Sequence, residues 1–97
     1  MPISKKDRNR AEIVGEVAGE VRLREFSSGA TLLSFAVRIR PDDGAAENVP
    51  IAWWSPTATD LAAGTRVRVV GRVRRRFYGG AGGLRSAVEV VAEAVQT

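Results

Sequence analysis

An all-β barrel of five strands, with one short helix between the third and fourth, is the fold this sequence predicts. Three observations carry it. Apolar and polar residues alternate at period two in several separate runs, and glycine, proline and aspartate cluster between those runs. A chain of 97 residues is also enough for one hydrophobic core and too short for two.

The elements follow in order. Residues 1–10, MPISKKDRNR, are charged and without apolar period, which predicts a flexible N-terminal arm ahead of a domain over residues 11–97. From there Ile13, Gly15, Val17, Val21 and Leu23 share one parity, and Glu12, Glu16, Glu20, Arg22 and Arg24 share the other, as in a long half-buried strand. Phe26-Ser27-Ser28-Gly29 supplies turn chemistry. A second strand then turns Leu33, Phe35, Val37 and Ile39 inward and Ser34, Ala36, Arg38 and Arg40 outward.

Pro41-Asp42-Asp43-Gly44 breaks that strand, and a third runs from Val49 to Trp54 with Val49, Ile51 and Trp53 on its apolar face. Ser55-Pro56 reads as an N-cap with proline at the first helical position, so Ala58–Ala63 is expected to form about two helical turns before Gly64 ends them. The fourth strand, Thr65 to Tyr78, sets Val67, Val69, Gly71 and Val73 against Arg66, Arg68, Arg72, Arg74 and Arg76. The glycines at 79–83 make a hairpin tip, and Leu84–Val95 reads as a mainly apolar fifth strand, with helix as its rival. Strand, strand, strand, short helix, strand, strand is the element order of the five-stranded OB-fold barrel.

Composition narrows the function. The chain has no cysteine and no histidine, which removes disulfides, thiolate chemistry, the commonest general base and the commonest zinc ligand. No carboxylate cluster has metal-ligand spacing, and no nucleophile stands beside a base, so neither an enzyme nor a cofactor is expected. No apolar stretch approaches the roughly 20 residues of a membrane span, and the basic start precedes no apolar leader; a cytoplasmic protein with no membrane partner and no small-molecule substrate is expected. Thirteen of the 15 cations are arginine and the net charge is +4, which points to a polyanion. A solvated arginine face that merely reflects composition is the plainer alternative.

Parity sharpens the choice. Arg38 and Arg40 on the second strand, Trp54 on the third, and Arg72, Arg74, Arg76 and Tyr78 on the fourth all fall outward. Guanidinium groups track phosphates, and aromatic faces stack bases without reading sequence, so these seven form a candidate single-strand binding surface. Trp53, Phe26, Phe35 and Phe77 read as packing residues, Tyr78 has the competing role of a hairpin cap, and charges at 74–76 would also blunt an edge strand.

Several segments together carry a resemblance: Val14-Gly15-Glu16-Val17, Ser34-Phe35-Ala36-Val37, Ala52-Trp53-Trp54, Val88-Glu89-Val90, and the G-x-x-V-x-V-x-G-x-V run from Gly64 to Val73 followed by a basic stretch and an aromatic. Over about Asn9 to Val95 the chain resembles bacterial single-stranded DNA-binding proteins. The resemblance implies an OB fold, homo-oligomers (dimer or tetramer) built by strand pairing between barrels, and single-stranded DNA wrapped along the basic surface of a nucleoid-associated protein acting in replication, recombination or repair. It also implies that Trp54 and Tyr78 occupy two of the family's stacking positions. Two other positions depart: Asn48 opens the third strand where the family has an aromatic, and none falls among Arg40 to Asp43. Losing two platforms removes roughly 2 to 6 kcal/mol of stacking unless arginines substitute. The helix region is short and no disordered tail is expected, as in a small paralogue of phage or primosomal type. A protein-interaction module with weak nucleic-acid binding, or a single-stranded RNA binder, are the competing readings.

Overall fold

The computed structural model describes residues 2–97, so the expected arm over residues 1–10 lies outside the described residues at Met1; residues 2–10 carry no strand and are exposed. The body is five strands: β1 (Ala11–Glu25), β2 (Thr31–Ile39), β3 (Glu47–Trp54), β4 (Arg66–Gly80) and β5 (Gly83–Gln96). They close into a barrel in the order β1-β2-β3-β5-β4, all neighbours antiparallel except β3 and β5.

Closure depends on β1 serving two partners. Its first half pairs with β4, from Ala11↔Gly71 to Glu16↔Arg66, and its second with β2, ending at Glu25↔Thr31. The β1–β2 register shifts between Ala18 and Arg22, where Gly19 adopts a φ of 71° that a side chain would strain. A long strand bent in this way passes from one side of the barrel to the other.

The core is the inward parity of every strand: Val17, Leu33, Phe35, Val37, Ile51, Trp53, Val67, Val69, Val90 and Ala92. Gly71 belongs there for a steric reason. A Cβ at that position would run into the Val91 carbonyl, because the β4–β5 register shifts beside it.

The expected helix over Ala58–Ala63 is absent, and residues 55–65 are turns and irregular backbone. Ser55 has a φ of 50°, in the left-handed region, whereas a serine N-cap needs an extended backbone. Six residues are too few to offset helix nucleation. The loop's backbone bonds go to β1 instead: the Gly64 N–H donates to the Val17 carbonyl at 2.7 Å, and the Val17 N–H donates to the Thr65 carbonyl at 2.8 Å. Leu61 packs against the core from this loop. Helix, the rival for the last element, is likewise excluded, since Gly83–Gln96 is strand throughout.

β4 and β5 pair from Arg68↔Gln96 to Gly80↔Gly83, well past the buried core. Their far half is a projecting two-stranded ribbon. Val73, Phe77, Leu84 and Val88 continue the core-facing parity there and are exposed, because no other strand lies over them.

Candidate nucleic-acid interface

Register builds the outer surface from rows of cross-strand neighbours. One row is Arg22↔Ser34↔Ala52↔Val91↔Arg72, crossing five strands of the barrel wall. Beside it run Ala18↔Ala36↔Pro50 and Glu16↔Arg38↔Asn48. On the ribbon the same face carries Arg74↔Glu89, Arg76↔Ala87 and Tyr78↔Arg85. Small side chains, Ser34, Ala36, Pro50, Ala52 and Ala87, therefore floor a shallow track, and arginines rim it on both sides.

An aromatic ring marks each end. Trp54 is 38% exposed and Tyr78 46%, whereas Trp53, one residue earlier on the opposite parity, is 6% exposed within the core. From the β3–β5 and β4–β5 registers the two outer rings stand eight residues apart along the strand direction, about 26 Å at 3.3 Å per residue. That span suits the roughly 4 to 16 nucleotides an OB barrel accommodates. Near the Tyr78 end, Pro50, Arg76, Tyr78, Ala87, Val88 and Glu89 line a groove of about 220 Å³.

The seven residues singled out by parity are not equivalent. Arg38, Arg40, Arg72 and Arg76 make no ion pair among the described residues. Arg38 is half-buried beside Glu16, and Arg40, just past the end of β2, is exposed on the rim of a smaller hollow shared with Arg66. Arg74 is engaged already. Its Nη2 donates to Glu89 Oε1 at 2.6 Å, and Glu89 is a buried charged residue, 7% exposed. Arg68, by contrast, is tied to Glu12 and Gln96 away from the track.

Several residues on or near this face were missed or misplaced by the parity reading. Arg85 sits directly across from Tyr78, and its signal was available, since Arg85, Ala87 and Glu89 alternate with Ser86 and Val88. Reading β5 as mainly apolar hid it. Phe77, expected to pack, is 61% exposed on the core-facing side of the ribbon. Phe26 does pack as expected, but its partner is the outward Trp54, against which it is half-buried. Asn9, in the segment before β1, reaches β4: its Oδ1 accepts from the Val73 N–H at 2.9 Å and its Nδ2 donates to the Val73 carbonyl at 2.6 Å. This amide continues the β1 edge by two residues without a strand. Among the described residues no group of acidic side chains could hold a metal ion.

The model of the single-strand binding protein family matches residues 8–97. The chain belongs to that family. Among solved structures, this SSB-family chain is similar to an SSB of Plasmodium falciparum in complex with single-stranded DNA, with a TM-score of 0.77, 17% identity, and coverage of 97% of this chain and 96% of that one. At such identity the likeness establishes the shared architecture, a five-stranded OB-type fold. No curated protein matches the sequence. The family model begins at Arg8, one residue before the Asn9 contact to β4, and takes in every strand.

Proposed function

We propose that this SSB-family protein binds single-stranded DNA, without catalysis and with little regard to sequence, along the track between Trp54 and Tyr78. One observation carries the reading: strand register brings two exposed aromatic rings and the unpaired Arg38, Arg72, Arg76 and Arg85 onto a single outer face floored by small side chains. Arginines contact phosphates and release counterions, while the rings stack unpaired bases at roughly 1 to 3 kcal/mol each. A duplex hides its base faces, so it can use only the arginines.

Family membership supports the reading, and a fold neighbour solved with single-stranded DNA supports the choice of ligand. Arg40 and Arg74 belong to the proposed surface with different weights: Arg40 stands past the end of β2 beside a hollow it shares with Arg38 and Arg66, and Arg74 is held back by Glu89. The proposal extends to a homo-oligomer, dimer or tetramer, acting in DNA replication, recombination or repair. Exposed Phe77 and Leu84 on the ribbon favour self-association, which light scattering in solution checks.

Titration of tryptophan fluorescence with oligothymidylate tests the function. Quenching at low salt is expected, with log K falling against log salt at a slope of about −3 to −3.5 if four or five arginines each neutralise a phosphate at about 0.7 per contact. Parallel titrations with an RNA of equal length and with duplex DNA separate the ligands. Absence of quenching by single strands, or equal affinity for duplex, would remove the proposal.

A further inference from the structure

The Trp54 end of the track holds a cluster that phosphate contacts and lone rings leave unexplained. Phe26, just past the end of β1, stacks on Trp54 with ring centroids 5.4 Å apart and planes tilted by 33°. The Arg24 guanidinium lies over the Phe26 ring, 5.1 Å from its centroid. Beneath them Arg24↔Leu32↔Trp54 form one lateral row. Leu32 stands on the outer face and is still only 7% exposed, so apolar groups cover it at a place where a lone surface leucine would be wet.

The backbone pins both rings. The Phe26 N–H donates to the Ala30 carbonyl and the Gly29 N–H to the Phe26 carbonyl, each at 2.9 Å, with Gly29 at a φ of 91°. On the other side the Ser55 N–H donates to the Thr31 carbonyl at 2.9 Å, which ties the residue after Trp54 to the start of β2. Arg24 forms no ion pair among the described residues.

We propose that Arg24 and Phe26 are part of the nucleic-acid interface, where they make a braced terminal subsite for one unpaired nucleotide. Phe26 occupies one side of Trp54 and holds the indole, a base stacks on the side left open, and Arg24 receives the adjoining phosphate. A ring already restrained loses little side-chain freedom on binding, so more of the stacking energy appears as affinity. Every base has a π face, so the subsite selects an unstacked base over a paired one and does not read identity. The inference rests on the single-strand reading above and assigns Phe26 a positioning role within it.

The test measures anisotropy of a fluorescein-labelled oligothymidylate, which does not depend on tryptophan emission, with the wild type, F26A, F26L, R24A, W54A and the F26A/W54A double variant. F26A should weaken binding by about 3- to 10-fold, W54A by about tenfold or more, and the double variant no further than W54A within about twofold, because Phe26 acts through Trp54. F26L keeps Leu32 covered; it should melt as the wild type does and still bind more weakly. R24A should lower the salt slope by about 0.7. Wild-type affinity in F26A and F26L beside an impaired W54A, or losses that multiply in the double variant, would overturn the brace; an unchanged slope in R24A would remove the arginine from it. If the wild type fails to bind, or W54A binds as well as the wild type, the single-strand reading itself falls, and that pattern is distinct from failure of the brace alone.

Discussion

Trp53 and Trp54 are neighbours in sequence and opposite in role, since adjacent strand residues point to opposite faces of the wall. Replacing Trp54 by alanine should cost about 1 to 3 kcal/mol of binding, roughly 5- to 150-fold in Kd, and leave the melting temperature nearly unchanged. Trp53→Ala should do the reverse and lower stability by about 3 to 5 kcal/mol through a core cavity. Titration and chemical denaturation of the two variants check both halves. Glu89 offers a different kind of test. It places a buried carboxylate on a surface proposed to bind an anion, and it occupies Arg74. Glu89→Gln should free that guanidinium, tighten single-strand binding at low salt and steepen the salt slope by about 0.7. It should also destabilise the fold by about 1 to 2 kcal/mol, less than a fully buried pair because the Arg74 side chain is 40% exposed. Parity alone showed which way Arg74 points; its partner lies fifteen residues away, and only cross-strand register brings the two together.

At the scale of elements, period-two alternation made β1 to β4 legible, whereas β5, buried on both faces from Glu89 to Ala92, reads as a mainly apolar run that helix could also explain. The helix was a different case. Ser55-Pro56 has the local chemistry of a helix start, yet the backbone of residues 64 and 65 bonds to Val17, continuing the β1–β4 ladder beyond Glu16↔Arg66, and those long-range bonds outweigh a six-residue propensity. Far-UV circular dichroism should therefore show strand without a helical component. Leu61→Ala should lower stability by about 1 to 2 kcal/mol, since that side chain is what the loop contributes to the core. The ribbon explains the misread apolar residues: alternation says which side Val73, Phe77 and Leu84 take and is silent on whether anything covers that side. Gly71→Ala should cost about 1 to 3 kcal/mol, measured by denaturant unfolding, because its Cβ would meet the Val91 backbone and no flexible side chain can yield there.

For the whole molecule, a net charge of +4 says only that a polyanion is welcome; the fold decides where. Closing β1 onto both β2 and β4 rolls five strands into one wall, and the parallel contact of β3 with β5 sets the ribbon's arginines beside Trp54's strand. Arginines 34 residues apart in the chain, such as Arg38 and Arg72, thus come to rim one track. The facing of the seven candidate residues was readable because it follows from strand period, and the Phe26–Trp54 contact was not, because it joins the residue just past β1 to the last residue of β3, which no local pattern brings together. The most direct measurement is an amide chemical-shift map of the 15N-labelled protein titrated with a short oligothymidylate. Shifts concentrated on β2, β3 and the ribbon, with the indole signal of Trp54 moving and that of Trp53 still, are the predicted outcome; shifts centred on the opposite side of the barrel around Glu12 and Arg68, or none at low salt, would contradict it.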